Sequence, residues 1–153
     1  MEKAQLSTSP SLSESEQATQ RRILIVEDSK ADIFLIREAI ALAKIEADLR
    51  EVHDGHEAVQ LIDAADRKPD VFCPHLILLD LNLPKKDGTA VLRHIRGSNA
   101  CRNARVLIVS SSDSASDREA LVALGIDGYF RKPSAYAEFL KLGPIVRELL
   151  IAA

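Results

Sequence analysis

The sequence has little of several features that define whole classes of proteins. Cysteine occurs only twice in 153 residues, at Cys73 and Cys101, which is too few for a disulfide framework and lacks metal-ligand spacing. We therefore expect two reduced thiols that act as small packing residues. No apolar run approaches the roughly 18 to 20 residues of a membrane span, and the N-terminus lacks the apolar core of a signal peptide. These absences predict a cytoplasmic protein with no membrane partner.

A surplus of basic charge is also absent. Lys and Arg together number 20 against 23 Asp and Glu, which gives a formal net charge of -3, and the basic residues are scattered along the chain. A nucleic-acid binder needs clustered cations opposite the phosphates. The composition therefore argues against a nucleic-acid partner.

The chain divides into two parts by composition. Residues 1–20 are dominated by Ser, Thr, Glu and Gln, and they offer almost nothing apolar that would offset the entropy cost of ordering. We expect a flexible N-terminal tail there. Residues 21–153 have the size and apolar content of one domain with a single core.

Two uninterrupted apolar runs predict strands that are buried on both faces. They are Ile23-Leu24-Ile25-Val26 and Leu76-Ile77-Leu78-Leu79, and neither shows the alternation of a half-exposed strand. Val106-Leu107-Ile108-Val109 is a third run of this kind. Weaker strand patterns occupy residues 48–52, whose polarity suggests a sheet edge, and residues 128–132.

Helical spacing of apolar residues follows every predicted strand. The helices are expected at about residues 29–45, 56–65, 88–95, 116–124 and 136–150, and Pro144 should interrupt the last of them. Alternating strands and helices with right-handed crossovers predict an α/β fold. We expect a doubly wound, five-stranded parallel sheet of the flavodoxin-like type, with strand order 2-1-3-4-5 and helices on both faces.

Carboxylates follow the two most apolar strands at the edge where such folds bind ligands. Glu27 and Asp28 come directly after the first strand, and Asp80 comes directly after the third. Because the carboxyl ends of parallel strands meet at one edge, these acids should lie close together and require a compensating cation. A hard divalent ion with oxygen ligands is the natural candidate, and Mg²⁺ fits best.

A magnesium site of this kind is suited to receive a phosphoryl group. Asp80 has the chemistry of a carboxylate nucleophile that forms an aspartyl phosphate. Ser110, at the end of the fourth strand, is placed to hydrogen-bond one phosphoryl oxygen. Lys132, at the end of the fifth, is placed to neutralise another.

The segments that carry these residues resemble the receiver domain of bacterial two-component response regulators, over about residues 21–153. The resemblance rests on Ile25-Val26-Glu27-Asp28, on Leu78-Leu79-Asp80-Leu81-Asn82-Leu83-Pro84, on Ser110 and on Tyr129-Phe130-Arg131-Lys132-Pro133. It implies that Asp80 is the phosphoacceptor and that Asp28, Asp80 and the backbone carbonyl of Asn82 hold Mg²⁺. Glu27 is then an outer acidic partner.

The same resemblance implies a conformational switch and a type of kinase. Tyr129 is similar to the aromatic residue that turns inward when the hydroxyl at Ser110 moves toward the phosphoryl group. The Lys132-Pro133 peptide bond is expected to be cis. The Asn82-Leu83-Pro84-Lys85-Lys86-Asp87-Gly88 loop and the Glu27-Asp28-Ser29-Lys30-Ala31-Asp32 segment resemble single-domain receivers that are paired with bacterial phytochromes.

The predicted function is therefore that of a response regulator rather than an enzyme. It would accept a phosphoryl group from a histidine kinase, which the resemblance implies to be of the phytochrome type, and signal to an unidentified downstream protein. Three alternatives stay open at this point: an intermediate in a multistep phosphorelay, a haloacid-dehalogenase-like phosphatase, and a flavodoxin-like nucleotide-binding module. The phosphatase motif would place its nucleophile on the first strand, and the nucleotide module would need a glycine-rich loop there.

The final helix predicts a homodimer. One set of its apolar residues falls near one face and is expected to pack on the sheet: Phe139, Leu142, Val146 and Leu149. A second set lies outside that stripe: Leu140, Ile145, Leu150 and Ile151. Exposed apolar area of this extent usually marks an interface. We expect two copies to associate through the last strand and the final helix.

Overall fold

The computed structural model of the chain describes residues 20–68, 73–112 and 114–152. The predicted tail lies outside the described residues except for Gln20. Within the described ranges, no helix has both the length and the apolar composition needed to cross a membrane.

Five parallel strands form one sheet in the order β2-β1-β3-β4-β5, as predicted. The strands are β1 (Arg22–Val26), β2 (Asp48–Val52), β3 (Leu76–Leu79), β4 (Arg105–Ser110) and β5 (Gly128–Arg131). All four strand pairs are parallel, so every strand ends at the same edge of the sheet. β2 lies at one edge of the sheet, as its polar composition predicts, and β5 lies at the other.

Six helices within the described ranges connect and cover the strands. They are α1 (Lys30–Leu42), α2 (Gly55–Arg67), α3 (Gly88–Gly97), α4 (Ala115–Ala123), α5 (Tyr136–Phe139) and α6 (Leu142–Ala152). Four begin at a side chain that accepts a hydrogen bond from an amide of the first turn, and this satisfies a donor that the helix itself leaves free. These caps are Ser29, Asp54, Asp87 and Ser114.

The core consists of two apolar layers, one on each face of the sheet. α2, α3 and α4 pack on one face, where Ile62, Leu92 and Leu121 are buried. α1, α5 and α6 cover the other face. β1 and β3 supply apolar side chains to both layers and are at most 1% exposed from Ile23 to Val26 and from Leu76 to Leu79, which explains why their sequences do not alternate.

The last helix is interrupted, but earlier than Pro144. α5 ends at Phe139 and α6 begins at Leu142, so Pro144 lies in the first turn of α6. A proline is tolerated there because first-turn amides have no partner within the helix. The break also changes which residues face the core: Leu150, predicted to lie outside the packing stripe, is only 5% exposed.

The two cysteines are not free thiols, contrary to our expectation. The sulfur atoms of Cys73 and Cys101 are joined as a disulfide, and their Cα atoms are 5.8 Å apart. They precede β3 and β4 respectively, and because these strands are neighbours the two loops meet. Sequence spacing does not reveal this proximity.

Candidate functional site at the strand ends

Glu27 and Asp80 are held firmly where β1 and β3 end. The ladder of hydrogen bonds extends one residue beyond each strand: the Glu27 amide donates to the Val52 carbonyl and the Asp80 amide to the Val26 carbonyl, both over 3.1 Å. The residues are only 1% and 5% exposed, respectively. Two acids are thus fixed side by side at the edge of the sheet.

Asp28 completes an acidic cluster. One carboxylate oxygen from each of Glu27, Asp28 and Asp80 lies within 4.8 Å of the others, and Asp28 is the exposed member. Clustered carboxylate oxygens repel one another, and they are the ligands that hard divalent cations prefer. The donor set therefore fits a small divalent ion such as Mg²⁺ or Mn²⁺ approaching from solvent.

Lys132 reaches this cluster from the end of β5. Its Nζ lies 2.7 Å from Glu27 Oε1 and 3.5 Å from Asp80 Oδ2. A third carboxylate, Asp32 Oδ2, is also 2.7 Å away. In the sequence, Asp32 stands out only as the last residue of the Glu27-Asp28-Ser29-Lys30-Ala31-Asp32 segment, and its contact with Lys132 was not predicted.

Electrostatics in the site follow from burial and from these ion pairs. Burial raises the pKa of Glu27 to about 7, despite hydrogen bonds from Lys132 and from the Ser29 amide that favour its charged form. For Lys132, burial acts to lower the pKa, but the carboxylates of Asp32, Glu27 and Asp80 outweigh it and the pKa is raised. Lys132 is therefore a permanent cation among acids.

Ser110 and Tyr129 lie on neighbouring strands, β4 and β5. Ser110 is fully buried, and its Oγ accepts a hydrogen bond from the Ser112 amide over 3.2 Å. The Tyr129 hydroxyl donates to the Ser112 carbonyl over 2.6 Å. The guanidinium carbon of Arg118, on α4, is 4.2 Å from the centre of the Tyr129 ring. Both residues thus contact the loop between β4 and α4.

The backbone also connects Ser110 to Lys132. The Lys132 amide donates to the Ser110 carbonyl over 2.8 Å, which fixes the start of the lysine side chain beside β4. The next peptide bond, to Pro133, is trans, which contradicts the predicted cis bond. Because the two isomers of such a bond differ by only about 0.5 to 1 kcal/mol in free energy, packing around the residue decides between them.

Asn82 lies in a loop that is packed tightly against its surroundings. Its amide is 3.4 Å from Asp80 Oδ1, and its side chain is exposed. A Cβ atom at Gly88 would collide with the Asp80 carbonyl, and one at Gly55 would collide with the Lys86 carbonyl. The loop can approach so closely only because these two positions are glycine.

The family model of the response regulator receiver domain matches residues 23–142. The chain is 34% identical over 120 residues to response regulator Rcp1 of Synechocystis sp., an alignment that covers 78% of this chain and 82% of Rcp1. It is also 34% identical over 119 residues to response regulator MprA of Mycobacterium tuberculosis, of which it spans 47%.

Solved structures agree with the sequence matches. The phosphorylated cyanobacterial phytochrome response regulator RcpA is 32% identical, with a TM-score of 0.78 over 88% of this chain and 96% of that chain. The Mn²⁺-bound form of Rcp1 is 32% identical, with a TM-score of 0.77 over 87% and 96%. Sequence and fold thus lead to one family: the chain belongs to the response regulator receiver domains of two-component signalling.

Proposed function

We propose that Asp80 accepts a phosphoryl group from a histidine kinase. The observation that carries this proposal is the position of Asp80, a buried carboxylate at the end of β3 that clusters with Glu27 and Asp28 and lies 3.5 Å from Lys132 Nζ. In the step itself, an Asp80 oxygen bonds to phosphorus as the bond from phosphorus to the donor atom breaks. The donor side chain or molecule leaves, and Asp80 becomes an acyl phosphate.

Asp28, Asp80 and the Asn82 carbonyl would hold Mg²⁺, with Glu27 as their outer acidic partner. Bound there, Mg²⁺ would neutralise charge on the transferring phosphoryl oxygens. The chain's own residues then have separate tasks. Lys132 supplies a fixed positive charge, and Ser110 supplies a hydroxyl that can donate to a phosphoryl oxygen.

The signal would leave the site through Ser110 and Tyr129. When the Ser110 hydroxyl turns toward the phosphoryl group, its hydrogen bond from the Ser112 amide is lost. Tyr129 is bonded to the carbonyl of that same residue, so a shift of Ser112 releases the ring. A charge-assisted hydrogen bond from Ser110 is thereby converted into a change of the surface around Tyr129.

The similarity to RcpA, which is a phytochrome response regulator, supports a phytochrome-type kinase as the donor. Receiver domains are generally not enzymes, and this chain would stop at one phosphoryl group until the acyl phosphate is hydrolysed. The message would then pass to a downstream protein that binds the altered surface, or the phosphoryl group would move on to the next carrier of a relay.

The homodimer remains part of the proposal, with a smaller interface than the sequence indicates. Ile145 and Ile151 are 37% and 73% exposed, whereas Leu140 and Leu149 are half-buried and Leu150 belongs to the core. β5 next to them is an edge strand of the sheet, and exposed sheet edges are common sites of pairing with another chain. This combination supports association through β5 and α6.

Labelling with acetyl phosphate tests the assignment of the acceptor. Wild type should incorporate at most one phosphoryl group per chain in the presence of Mg²⁺, and Asp80→Asn should incorporate none. The exposed Asp87→Asn, which retains a capping side chain for α3, is the matched control and should be labelled as wild type. Equal labelling of Asp80→Asn would move the acceptor elsewhere, and continuous turnover of donor would indicate a phosphatase.

A further inference from the structure

Lys132 makes its shortest contacts with two acids other than the proposed acceptor. Nζ is 2.7 Å from both Glu27 and Asp32 but 3.5 Å from Asp80. Any phosphoryl group on Asp80 that pairs with Lys132 must therefore draw the ammonium away from at least one closer partner. This inference rests on the proposed role of Asp80.

The two closer partners differ in how easily they release the ammonium. The Glu27 side chain is 1% exposed, so losing Lys132 would leave a charge in a place that water barely reaches. The Asp32 side chain is 26% exposed, so water can replace the ammonium there. Breaking the contact with Asp32 therefore costs less free energy than breaking the contact with Glu27.

Asp32 is also held in place independently of Lys132. It lies in the first turn of α1, and its amide donates to Ser29 Oγ over 3.2 Å. The carboxylate is therefore presented to Lys132 by the start of the helix. Because Asp32 Oδ2 and Asp80 Oδ2 both lie near the same ammonium, the negative charge of Asp32 is close enough to repel an anionic group at Asp80.

We propose that Asp32 is a positioning residue that holds the Lys132 ammonium in the unphosphorylated state and competes with the phosphoryl group for it. Asp32 thereby sets both the apparent affinity for the phosphodonor and the lifetime of the phosphorylated form. Loss of its charge releases Lys132 toward Asp80 and removes one repulsion on the incoming anion.

The test is the kinetics of phosphorylation and dephosphorylation in Asp32→Asn with acetyl phosphate and Mg²⁺. The half-saturating donor concentration should fall roughly three- to tenfold, as expected for removing one nearby unit charge from a partly screened site. In the hydrolysis step, water attacks phosphorus and Asp80 leaves as a carboxylate. This step should become slower, because Lys132 stays on the phosphoryl oxygens.

Two further variants separate positioning from helix stability. Asp32→Glu restores the charge and should return both constants to within about twofold of wild type. Glu38→Gln removes the same charge from the same helix, where the side chain contacts Tyr136 at the surface, and should change neither constant. Thermal unfolding of all variants reports any general loss of stability.

The outcomes distinguish this inference from the proposed function. Wild type that takes no label on Asp80 contradicts the function. Suppose instead that wild type is labelled on Asp80. If Asp32→Asn is then phosphorylated as wild type or more slowly, or if its phosphorylated form is shorter-lived, competition by Asp32 is wrong. If Asp32→Asn does not fold, Asp32→Ser, which also removes the charge, takes its place, and an unchanged half-saturating donor concentration and phosphoryl lifetime in that variant would contradict the proposal.

Discussion

The hydroxyl of Tyr129 donates to the carbonyl oxygen of Ser112 over 2.6 Å, in the loop that follows Ser110. The ring is thus tied to the segment that would move on phosphorylation. The arrangement gives the proposed switch a defined resting position, which spectroscopy can follow.

Ser110→Ala should uncouple Tyr129 from phosphorylation. The variant loses the hydroxyl that would donate to the phosphoryl group, so we expect it to be labelled on Asp80 without a change at the ring. Tyr129 and Tyr136 are the only tyrosines in the sequence, and their ring resonances can be followed separately by NMR. Tyr136 serves as the internal control. An unaltered phosphorylation-dependent shift of Tyr129 in Ser110→Ala would refute the coupling.

Asp28→Ala should weaken Mg²⁺ binding on the order of tenfold, because it removes a carboxylate from a small oxygen-ligand set. Titration calorimetry measures the affinity directly. Glu46→Ala is a suitable control, since Glu46 is an exposed acid in the loop after α1, at the opposite end of the sheet. Equal affinities in wild type and Asp28→Ala would remove Asp28 from the metal site.

His75 should make stability depend on pH below neutrality. Its Nδ1 accepts a hydrogen bond from the Arg22 amide over 3.0 Å. Burial, together with the charges of Arg21 and Arg22, lowers the pKa of His75 below its ordinary value of 6.5. The unfolded chain therefore binds a proton first, so the His75 contribution is complete above pH 6.5 and is lost as pH falls toward the lower folded pKa.

Urea unfolding of His75→Asn between pH 8 and pH 5 tests this linkage. Asn keeps an acceptor near the Nδ1 position but does not titrate, so its stability should fall less over this range than that of wild type. Glu27, whose pKa is raised to about 7, acts in the opposite direction in both proteins, and the difference between them isolates His75. The exposed His56→Asn should behave as wild type. Parallel curves for wild type and His75→Asn would exclude the linkage.

Ile145→Glu should dissociate the proposed homodimer, because a charge on α6 would have to be buried at the interface. Sedimentation velocity measures the association. Gln60→Glu adds the same charge on α2, far from β5, and should leave the dimer intact. A wild type that is monomeric at high micromolar concentration, with or without a phosphoryl mimic, would rule the dimer out.

Sequence patterns predicted the sheet and much of the site because the relevant signals are local. Unbroken apolar runs marked β1 and β3, and the acids directly after them had to meet once those strands were parallel neighbours. Asp32 carried no such signal. Its contact with Lys132 depends on how α1 leaves β1, and a first-turn acid is equally well explained as a helix cap.

The errors at the end of the chain have a related cause. A prediction from periodicity assumes one straight helix. The break at Leu140 and Lys141 changes which residues of the following helix face the core. Leu150 consequently turns into the core. The Cys73 and Cys101 pairing was missed because the predicted sheet order places their two loops at the same edge of the sheet but does not fix how closely the loops approach.

The shape of the loop after Asp80 depends on two glycines, which have no side chain. At Gly88 and Gly55 the neighbouring backbone occupies the space that a methyl group would fill. Gly55 is the first residue of α2, so the start of a helix distant in sequence bears directly on the loop that carries Asn82. A single methyl group at position 55 would push against the Lys86 backbone, so its effect would reach the loop that carries Asn82 and would not be confined to α2.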